Sequence, residues 1–188
     1  MLILLPPSEG KAATPRRGTP VDPAALSFPE LGPSRERALD VLTELCGRPD
    51  DEPARAALGL SRHQGAEVLR NAALRRAPAL PAWKVYTGVL YDALGLASLD
   101  QAARRRAYRS VLVFSGLWGV VRLTDRIPPY RCPVGATLPD VGALAGFWRG
   151  PLTPVLDGIT GSGLVLDLRS AGYTGMWRPA GDRAGRTV

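Results

Sequence analysis

Val111-Leu-Val-Phe114 is an unbroken apolar run of strand length, and what flanks it decides the fold. Upstream, Ser98 with Gln101 reads as a capping box opening a helix that carries Arg104, Arg105 and Arg106. Downstream, Ser115-Gly-Leu-Trp-Gly119 leads into another apolar stretch, Gly119 to Leu123, read as a strand. Met1 to Leu5 repeats the buried-strand pattern and is closed by Pro6-Pro7, and Leu164 to Leu168 repeats it again. A strand is expected over Trp83 to Thr87 and a helix over Val89 to Leu94. Strands alternating with helices place the chain in the mixed α/β (α+β) class. Its 188 residues make one domain, with no internal repeat and no boundary.

Between the first strand and Pro33 the chain is rich in Gly, Pro and Thr, which predicts a long loop. Ser34 then starts a helix with apolar positions at Ala38, Leu39, Val41, Leu42 and Leu45, stopped by Gly47 and Pro49. Asp50-Asp51 opens a second, shorter helix. A tight Gly59-Leu60 turn follows, and Ser61 with Gln64 caps a third helix running to about Arg76.

The charge balance is 24 basic residues against 17 acidic, a net charge of +7. Only Lys11 and Lys84 are lysines, so 22 of the 24 basic residues are arginine. With 21 glycines and 18 prolines, this usage points to a GC-rich genome, which discounts basicity alone as a sign of nucleic acid. Arginine is nonetheless the better fork for phosphate. No apolar run is long enough for a membrane span, so no membrane partner is expected and the location is read as cytoplasmic. Cys46, Cys132 and the sole histidine, His63, are too few and too scattered for a disulfide framework or metal site, and no cofactor motif is present. Cys46 falls on an apolar helix face, and Cys132 reads as a buried, inert thiol.

Two constellations carry chemistry. Gly59-Leu-Ser-Arg-His-Gln-Gly65 lies in a helix–turn–helix whose spacing approximates a helix-hairpin-helix DNA-binding element, with Ser61 in place of the second glycine. Amides at such a turn favour a phosphate, with Gly59, Ser61, Arg62, His63 and Gln64 as the candidate DNA contacts. An ordinary capped helix pair packed on the core has the same sequence. The second constellation runs from Ser115 to Arg131 at a strand's carboxyl end, where α/β folds place ligands. Arg122 and Arg131 are candidates for an anion clamp, Asp125 for orienting it and Tyr130 for stacking or donating. Lys11 follows the first strand and, with Tyr86 and Ser115, completes a candidate anion pocket. A glycine-rich corner with an internal Arg–Asp pair reads the same way. Trp118, Trp148 and Trp177 are expected to anchor the core.

Met1-Leu-Ile-Leu-Leu-Pro-Pro-Ser-Glu-Gly-Lys11, Val85-Tyr-Thr-Gly88, Ser115 to Arg131 and Phe147-Trp148 together resemble the YaaA family of bacterial peroxide-stress proteins. Leu164 to Leu168, followed by Ser170 and Tyr173, is similar to the family's later strand and Ser-x-x-Tyr segment. The resemblance implies a cytoplasmic protein with a family-specific mixed fold and a helix-hairpin-helix element. It implies binding of duplex or distorted DNA and protection against peroxide by limiting free iron and oxidative DNA damage. It also implies a further C-terminal segment beyond Val188, so that residues 1–188 are expected to form a shortened single domain. The alternative reading is an enzyme or binding protein for a small phosphorylated or nucleobase ligand held in the Lys/Arg/Tyr pocket.

Overall fold

A computed structural model describes all 188 residues. The chain opens with β1 (Leu2–Leu5), whose apolar side chains leave no polar face to water, and Pro6-Pro7 ends the pairing. The expected long loop follows, tightened by two 3-10 turns at Pro23–Ala25 and Pro29–Leu31. Helix α1 (Gly32–Cys46) starts two residues before Ser34, with no side-chain cap, because Pro33 already fixes the first turn. It ends at Gly47, whose amide reaches the carbonyls of Thr43 and Glu44. Cys46 lies at its buried end, and burial pushes the thiol up to about 11.

Helices α2 (Glu52–Leu58) and α3 (Gly65–Ala72) form a hairpin. Gly59 joins them in the left-handed region at φ 63°, and Arg62–Gln64 is a 3-10 turn where a continuous helix was expected. The capping pair is present: the Ser61 amide donates to Gln64 Oε1 at 2.9 Å. The chain then differs from expectation around Trp83. Strand β2 is only Leu80–Pro81, and Ala82–Val85 forms a helical turn, α4. The amides of Ala82 and Trp83 are drawn to the carbonyls of Asp125 (2.7 Å) and Leu123 (3.1 Å), which bends the segment out of strand geometry.

Helix α5 (Val89–Leu94) falls where expected, and α6 (Gln101–Ser110) carries the three consecutive arginines. Asp100, not Ser98, caps α6 by accepting from the Ala103 amide at 2.7 Å; Ser98 instead donates back to Gly95. Strands β3 (Val111–Ser115) and β4 (Gly119–Arg122) make an antiparallel hairpin, and β5 (Arg126–Ile127) pairs with β2. The two-residue strands β6 (Thr137–Leu138) and β7 (Gly142–Ala143) lead into α7 (Leu144–Thr160), the longest helix. No sequence signal announces α7, because Pro151 and Pro154 sit inside it. Strand β8 (Val165–Asp167), helix α8 (Ala171–Thr174) and a 3-10 turn at Gly181–Arg186 complete the regular elements.

The main sheet has the order β4-β3-β1-β8, with β1 parallel to both neighbours and only β4 reversed. Its parallel strands place their carboxyl ends on one side, which is where the loops after β1 and β3 meet. The mixed α/β class and the single domain are as the sequence predicts. Trp118, Trp148 and Trp177 are all fully buried, and the Trp148 ring lies against Gly119. Trp148 donates its indole N–H to the Gly116 carbonyl at 2.7 Å.

Arg35 is wholly buried in this core. It donates to the carbonyls of Ser27 (2.8 Å), Val120 (2.8 Å), Trp118 (3.1 Å) and Phe28 (3.3 Å), tying α1 to the β3–β4 turn and the long loop. Burial pushes its guanidinium down to about 10, partly offset by the negative field of Asp125 and Glu30. No helix is long and apolar enough to cross a membrane.

Candidate functional site

A cleft of about 300 Å³ opens at the carboxyl end of β1. One wall is the segment Pro6 to Lys11, the opposite wall is Tyr130 to Gly135, and Ser170 and Tyr173 at the start of α8 close the end. Lys11 is held there by its own loop: Nζ donates to the Ser8 carbonyl at 2.9 Å and to that of Glu9 at 3.4 Å. The ammonium lies over the Tyr130 ring, 4.5 Å from its centroid, with Tyr86 at 5.7 Å. Burial pushes Lys11 down to about 8, and the neighbouring Arg131 charge acts in the same direction.

Arg131 shapes the other wall. Its backbone is fixed by Asn71 of α3, which is fully buried: the Asn71 amide nitrogen donates to the Arg131 carbonyl at 2.7 Å, and the Arg131 N–H donates to Asn71 Oδ1 at 3.0 Å. The Arg131 Nε is buried and has no hydrogen-bond partner. Its only carboxylate neighbour is Glu9 at 3.8 Å, on a side chain 91% exposed, so the guanidinium is left with unspent donors. Cys132 beside it is buried and pushed up to about 12, chiefly by that burial, as expected of an inert thiol.

Behind the cleft runs a buried hydroxyl chain. Tyr86 and Tyr130 oxygens lie 3.0 Å apart, and Tyr130 is 2.6 Å from Ser115 Oγ. Ser115 Oγ in turn accepts from the Trp118 amide at 2.9 Å and the Leu117 amide at 3.2 Å. Burial raises both tyrosines, so they remain phenols and hold the wall rather than titrate. Tyr173, facing the cleft, is pushed up to about 12 by the same cause.

The structure therefore gathers Lys11, Tyr130 and Arg131 at the cleft and sets Tyr86 and Ser115 directly behind it. It does not bring Arg122 and Asp125 there. Because β4 runs antiparallel to β3, Ser115 pairs with Gly119 while Arg122 pairs with Leu112, about 10 Å further down the hairpin. Arg122 donates to the Arg109 carbonyl at 2.9 Å and lies over Phe28, and Asp125 accepts from Ser27 and from the Arg122 amide. The proposed Arg122–Arg131 clamp is not formed; Asp125 is a loop fastener. Asn71, Ser170 and Tyr173 carry roles that spacing alone did not assign. Asn71 had one signal, a lone amide on the buried face of α3 beside Val68.

At the hairpin, Ser61, Arg62, His63 and Gln64 are exposed, and Gly59 provides the turn. The hairpin and the cleft adjoin. Glu67 and Arg70 of α3, paired at 2.6 Å, both act on the charge of Lys11, and Asn71 is bonded into the cleft wall. Asn71→Ala should remove both bonds to Arg131 and leave two buried backbone groups unpaired. The expected loss is about 2–4 kcal/mol, read as a lower urea midpoint. An unchanged midpoint would mean that solvent replaces the amide at no cost. No group of three or more His, Cys, Asp or Glu side chains is placed to hold a metal ion.

What fold and site define is a small mixed α/β domain that sets a basic cleft at the carboxyl end of its central strand, beside a helical hairpin. The chain belongs to the family described as peroxide stress protein YaaA, whose model matches residues 1–188. It is 58% identical over 188 residues to a UPF0246 protein of Streptomyces coelicolor, covering 100% of this chain and 72% of that one. It is 43% identical over 178 residues to a UPF0246 protein of Corynebacterium efficiens, covering 92% of this chain and 68% of the relative. An uncharacterized protein of Campylobacter jejuni is 28% identical over 179 residues, covering 95% and 72%.

Proposed function

We propose that this member of the peroxide-stress family is a cytoplasmic DNA-binding protein that limits oxidative damage by holding phosphates of duplex or distorted DNA. The observation that supports this most is the joining of two basic features through one residue. Asn71 fastens the hairpin's second helix to the backbone of Arg131, whose buried Nε lacks a partner. A strand of phosphates crossing the hairpin at Arg62 would then meet the cleft with its free guanidinium donors. Binding of this kind is electrostatic and reads backbone rather than base edges.

Salt titration tests it. Neutralising about 4 phosphates gives a slope of log affinity against log salt near −3.6, and Arg62→Ala should flatten it by about one unit for all sequences alike. A folded wild-type protein that binds no duplex, nicked or bulged DNA at low salt would end the proposal. The cleft's volume, that of a small-ligand site, supports a second reading, a phosphorylated small molecule. In that case inorganic phosphate or a nucleotide protects the wild type from thermal unfolding, Arg131→Ala removes the protection, and duplex affinity does not change.

A further inference from the structure

The chain has 22 arginines and two lysines, so wherever a fixed positive charge suffices, arginine is what it uses. Lys84 rests on the Trp83 ring, 5.0 Å from its centroid, away from the cleft. Lys11 alone stands in the cleft. For gripping phosphate a guanidinium would serve as well or better, since it offers a planar fork of five donors. An amine has one capacity that a guanidinium lacks: it can lose its proton and attack a carbonyl carbon.

The surroundings suit that use. The Ser8 and Glu9 carbonyls engage two of the three Nζ positions, and the third becomes a lone pair once the proton leaves. Burial and Arg131 push Lys11 down to about 8, against the opposing field of Glu67, so about a tenth of the amine is neutral near pH 7. Arg131 supplies the unpartnered donor for an anion in the same cleft, and Ser170 and Tyr173 supply hydroxyls.

We propose that Lys11 is a Schiff-base lysine for an aldehyde carried on a phosphorylated sugar, with the phosphate seated on Arg131. The Nζ lone pair forms a bond to the aldehyde carbon. The carbon–oxygen bond then breaks, and the two amine protons leave with that oxygen as water, giving an imine. Where the sugar belongs to DNA, which rests on the DNA-binding reading above, the aldehyde is C1′ of a deoxyribose that has lost its base. Free deoxyribose 5-phosphate carries the same chemistry.

Borohydride trapping tests this, because it reduces an imine to a stable amine. Wild-type protein is mixed either with a duplex carrying one abasic site or with deoxyribose 5-phosphate, reduced, and analysed by denaturing gel and peptide mass. The expected result is an adduct on Lys11, retained in Lys84→Arg and reduced to background in Lys11→Arg. An adduct with the duplex alone assigns the substrate to DNA, and one with the free sugar phosphate alone assigns it to a small metabolite; either supports the imine. No adduct on Lys11 with either probe overturns the inference, as does an adduct mapping to Lys84 or the Met1 amine. If Lys11→Arg does not fold, the peptide map of the wild type decides. Binding of an intact duplex, measured beside the trapping, separates the two ideas. Binding without an adduct removes the Schiff base alone, and no binding removes the DNA reading while the sugar phosphate still tests Lys11.

Discussion

Arg35→Leu should be the most damaging single substitution in this chain. Leucine fills part of the volume but donates nothing, so the carbonyls of Ser27, Phe28, Trp118 and Val120 all lose a charged donor at once. A hydrogen bond to a charged group contributes about 1.5–3 kcal/mol, and a buried acceptor left unpaired costs about 1–3 kcal/mol more. Even with solvent entering from the loop side, the expected loss is about 4 kcal/mol or more, a large part of the stability of an ordinary domain. Urea unfolding with a matched slope measures it. Arg35→Lys should rescue little, because one ammonium cannot span carbonyls on two separate segments. A leucine variant within about 1 kcal/mol of wild type would show that the loop and the β3–β4 turn are held by packing alone.

Gly116→Ala should have the second-largest effect, and it acts on the site as well as on stability. A Cβ at this position would lie 2.4 Å from the Cys132 carbonyl oxygen and 3.1 Å from the Pro133 carbonyl carbon. Both are backbone atoms, so no rotamer change relieves the overlap. Either β3 shifts or the Arg131–Pro133 wall moves outward, at a cost of about 1–3 kcal/mol or more. For a chain of this size each kcal/mol lowers the melting temperature by about 2–4 °C. If phosphate protects the wild type from thermal unfolding, the variant should lose that protection, since Arg131 moves with the wall. Retention of both properties would show that the two segments are not packed as described. Gly119→Ala meets a side-chain obstacle instead, the Trp148 ring at 2.7 Å, from a backbone at φ +71°.

The sheet was legible because its strands are apolar on both faces: Leu2–Leu5 and Val111–Ser115 have no polar residue before their ends. The turn between α2 and α3 was legible because Gly59, Ser61 and Gln64 act locally. What escaped was decided at long range. Trp83 leaves strand geometry because the Asp125 and Leu123 carbonyls lie across from it, and α7 persists through two prolines because its face is buried by Leu144, Trp148, Leu152 and Leu156. The cleft was half legible. Lys11 follows β1, whose carboxyl end lies beside that of the parallel strand β3, and Tyr130 is drawn there by its 2.6 Å bond to Ser115 at the end of β3. Arg122 was misplaced because nothing local says that β4 turns back antiparallel. Arg35 looks like any surface arginine of a helix, and only the four carbonyls around it show otherwise.

The burial of sulfur has a consequence for a protein of this family. Hydrogen peroxide oxidises thiolates, not thiols, and reaches thioethers only where they meet water. Cys46 and Cys132 are both enclosed and both held protonated well above neutral pH, and Met176 is fully covered; only Met1, 65% exposed, is open to attack. Within residues 1–188, every sulfur but that of Met1 is thus kept from the oxidant, the two thiols by burial and protonation together and Met176 by burial alone.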